Sequence, residues 1–274
     1  MIEAYHLPAL PHPPTTTWSY GRGEGAIQIR IPQLTPALLK RQVEALAEAQ
    51  ATQLAERPVA EIVAAIDRAA ERLADPQDEL RRLAVPGVAV TSLVRSLLVK
   101  AGTLGKTATG EPILPALFAR ALAEVDASLG QCLAVTYWPG GVVALEVVAL
   151  ETAQVVVAYG GREAVGALRA HVPAGARFVG YGHRLSFAVV AREALSRAEA
   201  ERTAARAALE VATFDQQGCV SPHLVYAEQG GETSPQEWAK LLAGAMARLE
   251  RALPRGALTP SEASAIRQLR GEAE

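Results

Sequence analysis

Residues 153–182 read AQVVVAYGGREAVGALRAHVPAGARFVGYG, and the pattern in this stretch decides the fold class. It opens with an apolar run typical of a buried strand, which ends in the pair Gly160 and Gly161. Residues 162–171 have helical spacing, and residues 176–182 form a second predicted strand. A helix between two strands is typical of a right-handed crossover between parallel strands. The stretch therefore predicts a doubly wound α/β sheet, whose ligands lie beyond the carboxyl ends of the strands.

Elements of both kinds flank this unit along the chain. Residues 1–35 are rich in Pro, Thr and Gly and predict an irregular arm or an edge hairpin. Within this arm, a strand is predicted at 26–31. Two helices separated near Pro58 are predicted within 36–73. Further helices are predicted at 90–102 and 115–125, and a strand at 132–138. Those predicted after the unit are strands at 186–190 and 224–228, a helix at 193–212, and helices that begin at Ser234-Pro235 and Thr259-Pro260.

Composition limits the functional classes. Half of the 274 residues are hydrophobic, a fifth are charged, and the formal net charge is only −2. This balance gives no electrostatic basis for binding nucleic acid or an anionic membrane surface, and we identify no metal-ligating set. No apolar run approaches the ~18 residues of a membrane span, and Met1-Ile2-Glu3 does not begin a signal peptide. We expect a globular cytoplasmic protein without an integral membrane segment.

The sequence lacks the usual dinucleotide fingerprint. The segment GRGEGA at 21–26 has two of the glycines, but no predicted strand precedes it and no helix follows it. A phosphate-binding loop needs both, because the anion lies at the amino end of the helix. This segment is therefore predicted to belong to the arm.

Two cysteines are candidates for chemistry, and we treat both as free thiols. Cys132 begins an apolar strand and is predicted to be a small buried hydrophobic residue. Cys219 lies in the polar segment DQQGC, where Gly218 would allow a substrate to approach the backbone and the Cys219 amide could donate to an oxyanion. The residues alone leave two interpretations of Cys219 open: a catalytic nucleophile or an inert loop cysteine.

Several segments, in order and in register, resemble acyl-CoA reductases of the LuxC type, a family of the aldehyde dehydrogenase superfamily. They are FDQQGCVSPH (214–223), VPGVAVTSLVRSLLVKAGTLGKTATGEPILPALFARALAEVD (85–126), LAVTYWPGG (133–141), VVVAYGGREAV (155–165) and FVGYGHRLSFAVV (178–190). The resemblance implies an aldehyde-dehydrogenase-like fold in which 1–35 is an amino-terminal arm, 36–192 a nucleotide-binding domain and 193–274 a partial α/β catalytic domain that carries Cys219.

The resemblance also implies a cofactor, NADPH or NADH, bound without a glycine-rich loop. Lys106 stands where the superfamily has a lysine near the adenosine ribose, and Glu111 where a glutamate accepts ribose hydroxyls. Gly160 and Gly161 fall at the turn against the pyrophosphate, and Arg162 follows as a candidate for a 2′-phosphate. The alternative is that Lys106 is merely solvated and Glu111 merely begins a helix.

The implied reaction is reduction of a fatty acyl-CoA, or of an acyl-protein thioester, to an aldehyde through an acyl group on Cys219. Tyr181 stands where hydrolytic relatives have the glutamate that activates water, which favours reduction over hydrolysis. His223 and His183 are candidates for proton transfer, with polar surface as the alternative. Whether the chain forms a homo-oligomer is left open.

Two departures from the family pattern support a second hypothesis. Where the family has Gly-Asn-Val-Pro, with the asparagine completing the oxyanion hole, this sequence has Leu83-Ala84-Val85-Pro86. Family members also continue beyond the segment RQLRGEAE, so we expect an abridged catalytic domain. The alternative function is therefore an impaired reductase-like protein that only binds a nucleotide or a partner. An unrelated cysteine hydrolase is a more distant alternative, because no histidine stands in a triad arrangement.

Overall fold

The computed structural model describes residues 1–21, 26–74, 88–182, 184–216, 220–256, 258 and 260–273. The chain divides into two compact units, Met1–Tyr181 and Gly182–Glu274. The boundary that the sequence suggested between 192 and 193 falls inside the second unit. No helix among the described residues is long and apolar enough to cross a membrane.

The first unit opens with a small sheet. Strand β1 (Ile2–Glu3) pairs in parallel with β3 (Ile27–Pro32), and β2 (Thr15–Tyr20) pairs antiparallel with β3. The arrangement agrees with the hairpin alternative rather than with an irregular arm. Just after β1, His6 exchanges two backbone hydrogen bonds with Val135, which lies in a later strand of the first unit.

Helices follow the sheet and supply most of the core of the first unit. Helix α1 (Pro36–Ala49) is capped by Thr35, whose side chain accepts from the Leu38 N–H, and a π-helical turn at Gln50–Leu54 extends it. Helix α2 (Val59–Ala74) begins just after Pro58, so the predicted break is confirmed. Helices α3 (Val88–Leu98) and α4 (Leu114–Val125) also agree with the predictions, and α4 packs against α2 in the largest apolar cluster.

Two parallel strand pairs complete the first unit. Strand β4 (Thr103–Lys106) pairs with β5 (Leu133–Thr136), with the short helix α5 (Ala127–Gln131) just before β5. After α6 (Val143–Leu150), β6 (Val155–Tyr159) leads through α7 (Arg162–Arg169) to β7 (Arg177–Tyr181), and β6 and β7 are parallel. The strand–helix–strand unit predicted from residues 153–182 is therefore confirmed.

The second unit is built on a third parallel pair. Strand β8 (Ser186–Val190) pairs with β9 (Pro222–Ala227). The sequence suggested that β8 belongs with the preceding strands, but this pairing places it in the second unit. Helices α8 (Ala200–Ala212) and α9 (Pro235–Ala252) pack against this pair around Trp238, whose indole N–H donates to the Ala200 carbonyl at 3.1 Å. The last helix is α10 (Pro260–Ala273).

Helix boundaries in this unit follow the local hydrogen bonds. The predicted start of α9 is confirmed by a capping box in which Ser234 and Glu237 bond each other's backbone N–H. The predicted continuous helix over 193–212 is wrong, because Ser196 is extended and separates a 3₁₀ turn (Arg192–Leu195) from α8. Bonds from the Thr233 N–H to Leu195 and from the Arg197 N–H to Glu232 stabilise this interruption.

Candidate cofactor and active site

The glycine pair lies directly after β6, at the carboxyl end of that strand. The Gly160 N–H donates to the Tyr181 carbonyl at 3.1 Å, which joins the ends of β6 and β7. Gly161 caps α7 with an extended backbone (φ −65°, ψ 164°) and without a side-chain cap. A Cβ atom at Gly161 would meet no heavy atom within 4 Å. The space above this residue is therefore open to a ligand, and any residue could adopt its backbone conformation.

The amino end of α7 presents N–H groups beside this space. The first helical bond recorded at this turn runs from the Val165 N–H to the Gly161 carbonyl, as expected when the N–H groups before it have no partner within the helix. Such groups attract an anion, and Arg162 at the first position adds a positive charge. Glu163 in the same turn opposes it. Among the described residues, no ion pair is recorded for Arg162, so its guanidinium is available to an anionic ligand.

Lys106 is the last residue of β4 and pairs in register with Thr136. Its Nζ atom lies 5.9 Å from the ring centre of Tyr137 and 5.8 Å from that of Trp138. Burial lowers the pKa of the Lys106 ammonium below its ordinary value, and the Glu146 carboxylate counteracts part of this shift. The cation is thus positioned by two aromatic faces at the carboxyl end of its strand.

Glu111 follows Lys106 after a tight turn in which its N–H donates to the Ala108 carbonyl at 3.1 Å. Its Oε1 atom is buried and has no hydrogen-bond partner among the described residues. Burial raises the pKa of the Glu111 carboxyl above its ordinary value. A buried carboxylate oxygen without a donor is costly, which makes this atom a ready acceptor for a ligand hydroxyl. Lys106 ends a strand of the first unit, and Glu111, Gly160 and Gly161 follow strands of that unit. Among the described residues, no direct contact joins Lys106 or Glu111 to the glycine pair.

A pair of stacked tyrosines lies at the ends of β6 and β7. The rings of Tyr159 and Tyr181 are 4.8 Å apart and nearly parallel, and Tyr159 Oη lies 3.0 Å from Ser92 Oγ of α3. The ring of Tyr181 is therefore in contact with the ring of Tyr159. One signal in the sequence could have predicted this pair: a tyrosine ends each of the two predicted strands, so parallel pairing in register brings the two rings side by side.

The described residues on either side of Cys219 have an unusual backbone conformation and specific hydrogen bonds. Cys219 itself, His183 and Ala84 lie outside the described residues. Before the cysteine, Asp215 and Gln216 have positive φ angles of 51° and 61°, a left-handed conformation that non-glycine residues adopt rarely. Gln216 Nε2 donates to the Pro222 carbonyl at 3.1 Å.

Hydrogen bonds also fix the residues after the cysteine. The buried Ser221 hydroxyl donates to the Thr213 carbonyl at 3.1 Å, which connects the start of β9 with the end of α8. His223 is exposed and lies at an irregularity of β9, because the register passes from Pro222 to Leu224. Sequence reasoning missed Gln216 and Ser221, since neither residue type signals the backbone partner that it finds.

The prediction that the other cysteine is buried is confirmed. Cys132 is fully buried, and its Sγ atom lies 3.4 Å from the Ser128 carbonyl oxygen and 3.5 Å from the Ala49 carbonyl oxygen, which share its single proton as acceptors. Burial raises its pKa to about 11, although the Arg57 charge counteracts part of the shift. A thiol with this pKa is almost entirely protonated at neutral pH and is a poor nucleophile.

Comparison with known proteins identifies the family. The sequence profile of the acyl-CoA reductase (LuxC) family matches residues 82–274, which is most of the chain and spans Lys106, Gly160 and Cys219. The chain belongs to the LuxC family of acyl-CoA reductases.

Curated relatives of this LuxC chain are named long-chain acyl-protein thioester reductases. The protein of Photorhabdus laumondii subsp. laumondii is 27% identical over 145 residues, which are 52% of this chain and 29% of the relative. The Photorhabdus luminescens protein is 29% identical over 145 residues, again 52% and 29%. The matched segment therefore spans less than a third of the length of these relatives.

Solved structures establish the fold of the LuxC chain. Aldehyde dehydrogenase from Bartonella henselae superposes with a TM-score of 0.65 at 12% identity and covers 92% of this chain and 65% of that one. The Mycobacterium tuberculosis Δ-pyrroline-5-carboxylate dehydrogenase, bound with NAD, gives a TM-score of 0.63 at 15% identity, with 90% and 58% covered. The aldehyde-dehydrogenase-like α/β fold expected from the sequence is confirmed.

Proposed function

We propose that this chain carries the nucleotide-binding domain and part of the catalytic domain of a reductase that converts a long-chain acyl thioester to an aldehyde. The observation that carries the proposal is the LuxC profile match, because it runs continuously through every candidate residue from Lys106 to His223. The thioester is an acyl-CoA or an acyl-protein, the second being the substrate named for the curated relatives.

The residues present fit a nicotinamide cofactor. The open space at Gly161 and the free N–H groups of α7 suit a pyrophosphate, and the unpartnered Oε1 of Glu111 suits a ribose hydroxyl. Lys106 lies at the carboxyl end of β4, in the separate strand pair β4–β5. Arg162, for which the described residues offer no ion pair, favours NADPH through its 2′-phosphate, with NADH as the alternative. When bound, the reduced nicotinamide supplies the hydride that turns the acyl group on Cys219 into a hemithioacetal, from which the aldehyde leaves.

Cys219 acts first in this proposal. Its thiolate attacks the carbonyl carbon of the thioester, the bond between that carbon and the leaving sulfur breaks, and the acyl group remains on Cys219. The exchange is nearly balanced because both sulfurs have similar basicity. His223, exposed four residues after the cysteine, can give a proton to the departing thiolate. With Tyr181 in place of a water-activating glutamate, hydrolysis of the acyl group should be slow.

Acyl transfer tests the nucleophile directly. The protein is incubated with a radiolabelled long-chain acyl-CoA, and the hydroxylamine-sensitive label on the protein is measured. Wild type and Cys132→Ala should label equally, whereas Cys219→Ala should not label. Equal labelling of Cys219→Ala would show that another residue is the nucleophile, and loss of label in Cys132→Ala alone would assign the reaction to the buried thiol.

Ala84 favours a second candidate, a family member that binds a nucleotide without efficient catalysis. Loss of one oxyanion donor costs about 3–4 kcal/mol of transition-state stabilisation, so acylation would be slower by orders of magnitude. Ala84→Asn should then increase the rate of acyl transfer. If Ala84→Asn leaves this rate unchanged, the oxyanion explanation is wrong.

A further inference from the structure

The hairpin β2–β3 places two aromatic side chains beside residues 107–111, which we call the Glu111 loop. Trp18 and Tyr20 are two positions apart on β2, so their side chains leave the same face of the strand. Both rings are half-buried and pack on an apolar cluster that includes Leu117 of α4. The matched family region begins at residue 82, so this hairpin lies outside it.

Tyr20 contacts the backbone next to Glu111. The Tyr20 hydroxyl donates to the Gly110 carbonyl at 2.7 Å, and the Glu111 N–H donates to the Ala108 carbonyl at 3.1 Å. The Gly110 carbonyl and the Glu111 N–H belong to one planar peptide bond, so both of its polar groups have a partner. Because glycine restricts the backbone least of all residues, the loop at Gly110 depends on such contacts for a single conformation. The Tyr20 hydrogen bond therefore helps to set the direction in which the Glu111 side chain leaves the backbone.

Trp18 contacts an aromatic residue of the candidate site. Its ring stacks on that of Tyr137, with ring centres 5.3 Å apart and planes inclined by 28°. Tyr137 also contacts Lys106, whose Nζ lies 5.9 Å from the ring centre, and its Oη atom lies 3.3 Å from Thr109 Oγ1 in the Glu111 loop. The hairpin thus contacts the immediate neighbours of both Lys106 and Glu111.

We propose that Trp18 and Tyr20 are positioning residues for the ribose of the nucleotide and that they act through Tyr137 and the Glu111 loop. The inference rests on the proposed function, in which Glu111 accepts a ribose hydroxyl through its buried Oε1, an atom without a partner among the described residues. A loop with several conformations would have to be ordered when the ligand binds, at a cost in entropy. The hairpin reduces this cost because it orders the loop in the free protein.

A double-mutant cycle tests whether Tyr20 acts through Glu111. NADPH is titrated by fluorescence into wild type, Tyr20→Phe, Glu111→Ala and the double variant. Tyr20→Phe keeps the ring that packs near α4 and removes only the hydroxyl, so it should fold as wild type. It should weaken NADPH binding about threefold to tenfold, which corresponds to one ordinary hydrogen bond. In the Glu111→Ala background the same change should have little effect, because the side chain that Tyr20 positions is absent.

Tyr5→Phe is the matched control for this cycle. It removes a hydroxyl that donates to the Glu3 carboxylate at 3.5 Å in the same unit, so it should bind NADPH as wild type. An equal loss of affinity on Tyr20→Phe in both backgrounds would assign Tyr20 a role in the fold alone and overturn the inference, as would wild-type affinity in Tyr20→Phe. If Glu111→Ala binds NADPH as tightly as wild type, the proposed ribose contact itself fails, and the inference fails with it.

Hydrogen exchange in the free protein tests the same contacts without a ligand. Tyr20→Phe should raise the exchange rate of the Glu111 amide about threefold to tenfold. The Thr107 amide, which donates to the Thr136 carbonyl at 2.8 Å, should exchange as in wild type. Trp18→Leu should also raise exchange at Glu111, whereas Trp18→Phe keeps a ring on Tyr137 and should not. An equal rise at Thr107, or no change at Glu111 in either Tyr20→Phe or Trp18→Leu, would overturn the inference.

Discussion

At the residue scale, the cofactor proposal depends on the empty space beside the Cα atom of Gly161. Its backbone is one that valine adopts readily, and no atom lies within 4 Å of a Cβ at this position. Gly161→Val should therefore fold normally but fill the space proposed for the pyrophosphate. Fluorescence titration with NADPH should show at least tenfold weaker binding, whereas Gly175→Val, in the turn before β7, should bind as wild type. Unchanged affinity in Gly161→Val would place the cofactor elsewhere.

Glu111 should make the stability of the folded protein depend on pH. Its pKa is raised in the folded protein because of burial, so the native state holds this proton more tightly than the unfolded chain does. The free energy of unfolding should then fall as the pH rises from the ordinary glutamate pKa through the raised value. Glu111→Gln should remove this decline and be more stable than wild type at neutral pH, with little difference in acid.

Thermal unfolding at several pH values measures this effect, with the exposed Glu48→Gln in α1 as the control. A wild-type stability that does not fall over this range, or that falls equally in Glu111→Gln, would show that the carboxylate is not desolvated. Sequence alone identified Glu111 through the family resemblance, but it could not reveal the unpartnered Oε1. That property depends on tertiary burial of the atom, which a local sequence pattern does not encode.

At the element scale, the strands with apolar, β-branched runs were predictable, whereas a strand that contains glycine and lysine was not. Strands β6 and β8 follow from such runs. Strand β4 was missed because TLGK is only four residues and contains glycine and lysine, so its conformation is set by pairing with β5. The interruption before α8 was missed because it depends on hydrogen bonds with a later loop: the Glu232 carboxylate accepts from the Arg197 N–H, and the Thr233 N–H donates to the Leu195 carbonyl. Local propensity cannot register such tertiary partners.

Helix α5 provides an element-scale prediction. Asp126 caps it through the Leu129 N–H at 3.0 Å and also pairs with Arg57, and both side chains are largely buried. Burial alone would raise the pKa of Asp126, but the bonds from Arg57 and the Leu129 N–H hold it below its ordinary value. Asp126→Asn should reduce the free energy of unfolding by roughly 2–4 kcal/mol at neutral pH.

The difference in the free energy of unfolding between Asp126→Asn and wild type should shrink as the pH falls through the lowered pKa. At that pH the Asp126 carboxyl of the wild type is protonated in both the folded and the unfolded state. Denaturant unfolding measures the change. Glu124→Gln, which breaks the exposed pair with Arg72, should cost under about 1 kcal/mol. An equal cost for the two variants would mean that burial does not strengthen the Asp126 pair.

At the scale of the whole molecule, the fold and the family were predictable because motifs in several separate segments occur in register. The precise division of the chain was not, since the assignment of β8 to the second unit depends on its pairing with β9. Our proposal for the whole protein is that the first unit binds a reduced nicotinamide and that Cys219 accepts an acyl group, which hydride transfer rather than hydrolysis then releases as the aldehyde.

A single-turnover experiment tests both claims together. The protein is first acylated with a radiolabelled long-chain acyl-CoA, freed of excess substrate, and divided into samples with and without NADPH, and the released products are separated. The account predicts that the label remains on the protein without NADPH and leaves as aldehyde when NADPH is added. Release of the label as free fatty acid in both samples, or its retention in the presence of NADPH, would contradict the account.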